Sequence, residues 1–187
     1  MLNHEKMKLK LILLAFLTLG IYTANACSCQ SSDDLQDEYK WISTIVHGKV
    51  LTKSYVSYES TLTTERLKLI QKEYESDYQK LNALKLESII KVELEVYHIY
   101  KGTGIKDKIV IYTSRHGASC GYLDFEIGKE FIIYLSPKSY LDVFYKVPGE
   151  NLRKVENNEA FWTNQCRRTR MFDKKEDKEL RSLRTTK

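Results

Sequence analysis

The sequence predicts a mainly β domain, a small antiparallel barrel of five strands that is closed or half-open, with a helix inserted between two early strands. Three observations carry this. Apolar and polar residues alternate along several short stretches, as they do in strands with one face buried; strands of a parallel sheet, buried on both faces, would lack that alternation. A helical period occurs in one internal segment, 57–87. Thirteen tyrosines against two prolines suit many strands with wet edges. A flat two-layer sandwich is the alternative.

The chain opens with Lys6, Lys8 and Lys10, then the apolar run Leu11 to Leu19, then small residues ending Ala24-Asn25-Ala26. This three-part pattern is that of a secretory signal over residues 1–26, and it places the mature terminus at Cys27. The run is shorter than the roughly 20 residues a spanning helix needs, so no transmembrane segment is expected. Lipidation of Cys27 is the competing fate of a cysteine in this position. Asn25 and Ala24 stand where a lipoprotein signal prefers small and branched apolar residues.

After Cys27-Ser28-Cys29, residues 30–39 are polar and acidic and read as a loop or helical turn. Trp41 to Tyr55 alternates and forms the first strand, bent near Gly48. Between Ser57 and Glu87, Leu67, Ile70, Tyr74, Tyr78, Leu81 and Leu84 recur at spacings of three and four. They make one narrow stripe on a charged helix, a solvated decoration of the barrel.

Ser88 to Tyr100 is the clearest half-buried strand, with Ile90, Val92, Leu94 and Val96 on one face. Lys101-Gly102-Thr103-Gly104 breaks it, and Lys108 to Thr113 is a third, short strand. A loop from Ser114 to Ser119 leads into Cys120-Gly121-Tyr122. Gly128-Lys129 turns the chain into a strand at Glu130 to Leu135, and Ser136 to Ser139 turns it toward a fifth at Leu141 to Val147. Phe161-Trp162 brings a polar stretch back to the core before Cys166. Residues 173–187 are almost wholly charged and are expected to be a frayed helix or a disordered tail.

Removing the signal lowers the formal net charge from +5 to +3, too mild and dispersed to argue for nucleic acid. His4, His47, His98 and His116 are scattered, and no zinc-protease, nucleophile-elbow or phosphate-loop motif occurs, so an enzyme is not expected. Cys27-Ser28-Cys29 lacks the two-residue spacing of a redox pair.

The four cysteines, Cys27, Cys29, Cys120 and Cys166, all lie in the exported part, which favours two disulfides. Residues two apart in an extended segment face the same side with Cα atoms about 6.5–7 Å apart, near the limit of a relaxed bridge. Each terminal cysteine therefore reaches a distant one, as Cys27 with Cys120 and Cys29 with Cys166, or crossed. The plain role of such bridges is to staple the domain. The sharper one is to fix a terminal amine whose pKa of about 8 leaves a useful fraction unprotonated and able to bind metal.

Cys27-Ser28-Cys29, the strand ending Ile99-Tyr100-Lys101-Gly102, the strand Ile111-Tyr112-Thr113 followed after six residues by Cys120-Gly121-Tyr122, and the later Cys166 together resemble the inhibitory domain of the tissue inhibitors of metalloproteinases. The resemblance runs, with gaps, from Cys27 to about Arg170. It implies a five-stranded OB-fold-like barrel of the netrin-module kind over residues 27–172, with the 57–87 insertion and a short terminal helix in the charged tail. It also implies the pairings Cys27–Cys120 and Cys29–Cys166, and a zinc metalloproteinase as partner. No cofactor of the chain's own is implied: the Cys27 amine and carbonyl chelate the partner's zinc, Ser28 enters the adjoining specificity pocket, and Arg115, His116, Gly117, Ala118 and Ser119 form a second contact ridge. The chain departs from the family in lacking a further cysteine pair and in carrying Gln30 to Asp34 where a proline-containing segment is expected.

The expected function is thus a secreted inhibitor of zinc metalloendopeptidases. The alternative is a secreted or lipid-anchored binding module of the cell envelope, in the periplasm or at the outer membrane, since such barrels serve many ligands.

Overall fold

A computed structural model describes Cys29 and residues 34–137, 144–147 and 160–185. The expected signal over 1–26, Cys27 and Ser28 lie outside these. Among the described residues the protein is mainly β: a mixed sheet of six strands with four helices, not closed into a barrel. In chain order the elements are α1 (Leu35–Trp41), β1 (Thr44–Val56), α2 (Thr64–Glu73), α3 (Tyr78–Lys85), β2 (Ile89–Lys101), β3 (Lys108–Ser114), β4 (Glu130–Leu135), β5 (Ala160–Trp162), β6 (Arg170–Met171) and α4 (Lys174–Thr185). The sheet order is β5-β3-β2-β1-β4-β6.

β1, β2, β3 and β4 are antiparallel, as the alternation predicts. β5 departs from it by pairing parallel to β3, Ile111 opposite Phe161 and Tyr112 opposite Trp162. Beyond the end of β4, Ser136 and Trp162 exchange both backbone hydrogen bonds, at 2.8 and 2.7 Å. The fifth strand expected at Leu141 to Val147 lies partly outside the described residues, and 144–147 is irregular backbone rather than strand. Tyr145 is nonetheless buried, stacked 5.4 Å from Tyr58, which explains why its apolar pattern reads as a strand.

The bend in β1 falls where glycine predicts it. A Cβ on Gly48 would stand 2.4 Å from the Glu95 carbonyl oxygen, and the β1–β2 register slips between His47 and Gly48. The sheet buries both faces along β4. Phe131, Ile133 and Leu135 join Val46, Val50, Val92, Leu94 and Ile111 on one side, while Ile132 and Tyr134 join Ile45 and Tyr100 on the other. α1 and α4 cover that second side through Leu35, Tyr39 and Leu180.

The insertion is two helices, not one. Thr63 caps α2 by accepting from Arg66 N, and Asp77 caps α3 by accepting from Lys80 N at 3.0 Å. The break turns Tyr78 out to solvent, 75% exposed, while Ile70 and Leu84 are buried. With Tyr58, Ile89, Tyr145 and Trp162 they build a third core, so the insertion is packed structure rather than a solvated decoration.

The tail is also ordered. Asp173 accepts from Glu176 N at 2.8 Å and starts α4, whose Leu180 is fully buried. No described helix is long and apolar enough to cross a membrane.

Candidate functional site: the cystine end of the sheet

The loop that leaves β3 is built by its own backbone. Ser114 Oγ accepts from His116 N at 3.2 Å, the His116 carbonyl accepts from Ser119 N and Gly121 N, and Gly117 to Ser119 form a 3-10 turn. Cys120 ends that turn in the left-handed region, with φ 57°. Such a backbone costs a non-glycine residue roughly 1–2 kcal/mol. Here it aims the Cys120 carbonyl at Gln165, whose N–H donates to it at 2.9 Å.

Gly121 then passes close beneath the loop. A Cβ there would lie 2.0 Å from the Ser114 carbonyl oxygen. Gly121→Ala is therefore expected to cost about 3 kcal/mol in urea unfolding. Gly117→Ala, whose Cβ would meet nothing nearer than 4.0 Å, is expected to change stability by less than about 0.5 kcal/mol.

Tyr122 anchors the exit of the loop. Its N–H donates to Thr113 Oγ1 at 2.8 Å and its ring packs 4.8 Å from Phe125. Burial, with the Asp124 carboxylate nearby, pushes the Tyr122 hydroxyl up to about 12, so it stays protonated through the physiological range.

Cys29 and Cys166 are at disulfide distance, with Cα atoms 4.9 Å apart across 137 residues of sequence. Cys120 is also disulfide-bonded, and no described cysteine is free. Gln165 holds Cys166 beside the loop, its N–H donating to the Cys120 carbonyl and its Nε2 to the Gly117 carbonyl at 3.3 Å, while the Cys166 N–H turns back to Asn164 Oδ1 at 3.0 Å. The structure thus brings Cys29, Cys120, Cys166 and the ridge His116 to Ser119 together at one end of the sheet. His116, Ala118 and Ser119 are exposed there and Gly117 is half-buried. The expected zinc-binding atoms of Cys27, and Ser28, are outside the described residues.

Arg115 ties the ridge to the insertion. Its N–H donates to the Ser88 carbonyl at 2.8 Å, its guanidinium donates to the Glu87 carbonyl, and that guanidinium lies 4.5 Å from the Tyr55 ring centroid. Gln165 was not identified from the sequence, because it lies far along the chain from the loop it braces. The one local signal is Asn164, placed two residues ahead of a cysteine whose N–H it accepts, as in an Asx-turn.

His47 and His98 take no part in this end. They sit in β1 and β2, opposite each other in register. No group of three or more His, Cys, Asp or Glu able to hold a metal ion occurs among the described residues. Compared with known protein families and with curated proteins, the chain matches none of them.

Proposed function

We propose that the mature chain, beginning at Cys27, is a secreted inhibitor of zinc metalloendopeptidases. Its terminal amine and the Cys27 carbonyl take the open position of the protease zinc and displace the water that would attack the peptide. Ser28 enters the neighbouring specificity pocket and the ridge His116 to Ser119 lies against the rim. With Cys29 joined to Cys166, Cys27 is the cysteine left to pair with Cys120.

One observation carries this reading. The Cys29–Cys166 bond and the Gln165–Cys120 backbone bond hold Cys29 beside an exposed, self-braced ridge more than eighty residues away in sequence. A wedge assembled before binding loses little ordering entropy when it docks. An OB-type barrel is the frame proposed for it, on the ground that the single Ser136–Trp162 bridge links the end of β4 to β5, the strand at the far edge of the open sheet.

The test is a zinc endopeptidase assay with the mature protein and a form carrying one alanine before Cys27. The extension moves the amine off the zinc, and inhibition is expected to weaken at least a hundredfold, about 2.7 kcal/mol. Equal inhibition by the two forms, or none by either across a panel of zinc endopeptidases, rejects the reading.

A further inference from the structure

His98 lies on the face of the sheet that α4 covers, away from the cystine end. It stands opposite His47 in the β1–β2 ladder, and its ring packs edge-on against Tyr100 at 4.8 Å. Its Nε2 is buried and has no hydrogen-bond partner. A neutral imidazole tolerates that; an imidazolium would bury an N–H with nothing to accept it.

The charged groups around it make the proton costlier. α4 brings Arg181 and Arg184 toward the ring against one opposing carboxylate, Asp177. That carboxylate is already engaged, accepting from Arg181 Nε at 2.9 Å and from the Tyr100 hydroxyl at 2.5 Å. Arg184 is held over β2 by donating to the Ile99 carbonyl at 3.0 Å. On β1, His47 adds a further imidazole, with its own Nε2 2.8 Å from Glu130 of β4 and its face stacked on Phe172. Tyr97 of β2 meets His47 edge-on and is exposed.

We propose that His98 is a proton-operated latch for the terminal helix. Protonation puts a charge on a half-buried ring whose Nε2 has no acceptor, beside the exposed cations Arg181 and Arg184, and loosens α4 from the sheet. Leu180, Ile45 and Tyr100, which bury one another there, are then uncovered in mildly acidic medium.

The sign follows from the direction of the His98 shift. Burial first, then Arg181 and Arg184, hold its pKa below the ordinary 6.5. The folded protein therefore binds this proton less readily than the unfolded chain does. Docking is at full strength above pH 6.5 and weakens as pH falls below it. Asp177 acts in a separate window: the Arg181 bond lowers its pKa from 3.8, so its contribution persists until the medium is far more acidic.

Hydrogen exchange of the α4 amides in the whole mature chain, corrected for intrinsic rates, tests this at about pH 7.5 and about pH 5.5. Protection is expected to fall by more than twofold and at most about tenfold at the lower pH, and His98→Phe is expected to remove most of that fall. Protection unchanged within about twofold, or an equal fall in His98→Phe, overturns the latch. NMR titration of the unmodified protein tests it without any substitution. His98 is expected to titrate below 6.5, and titration at or above that value overturns the latch.

Discussion

Replacing Cys29 and Cys166 together with alanine is expected to lower the stability of the mature protein by about 5 kcal/mol in urea unfolding. The bond spans 137 residues, so it removes a large share of the unfolded chain's freedom. Little of the loss comes from packing, because Cys29 is exposed. A domain of this size is stable by about 5–15 kcal/mol, so the variant is left marginal. The ridge itself is expected to persist where the variant folds, since the bonds of Gln165 to Cys120 and of Cys166 N–H to Asn164 do not need the sulfurs. What is lost is one of the two anchors of the proposed wedge, which is then tethered by the proposed Cys27–Cys120 pairing alone. A stability change below about 1 kcal/mol would show that this bond does not constrain the chain.

The fold was legible where burial follows the strand period and less so where polar residues decide. β4 coincides with the stretch Glu130 to Leu135, and β2 is displaced by one residue at each end. α1 was half hidden because its seven residues carry Asp37, Glu38 and Lys40. The signal that fixes its start is Asp34, which accepts from Gln36 N at 2.7 Å. The same applies to Asp77, whose cap splits the insertion while the apolar stripe runs on through the break. β5 and β6, three and two residues long, are too short to show any period.

At the candidate site, the ridge could be placed from the six residues between Thr113 and Cys120. Its stiffness could not. That rests on a left-handed Cys120, on the close approach of Gly121 to Ser114, and on Gln165, each set by tertiary contact rather than by neighbours in sequence. Charge was the most misleading signal. The charged residues of the tail expected over 173–187 read as a frayed helix or disordered end because their partners are one another, Arg168 and Arg170, and two buried tyrosines.

Glu176 holds that tail, and Glu176→Ala is expected to cost about 3–5 kcal/mol. Its carboxylate is 5% exposed, accepts from the Tyr134 hydroxyl at 2.6 Å, and lies 3.5 Å from Arg168 and 3.3 Å from Arg170. Burial, then the bond to Glu176, raises the Tyr134 hydroxyl far above its ordinary value, so it remains a donor that needs an acceptor. Alanine would leave that hydroxyl and the mostly buried Arg168 facing the space the carboxylate filled, and the unpaired groups account for more of the loss than the missing contact does. Glu176→Gln keeps an oxygen for Tyr134 while giving up the charge, so it is expected to cost clearly less than alanine. Glu179→Ala, on the exposed side of the same helix, is expected to shift stability by no more than about 0.5 kcal/mol. Urea unfolding of the three variants checks the order, and an alanine variant no weaker than glutamine would mean that α4 is held by Leu180 and its apolar neighbours alone.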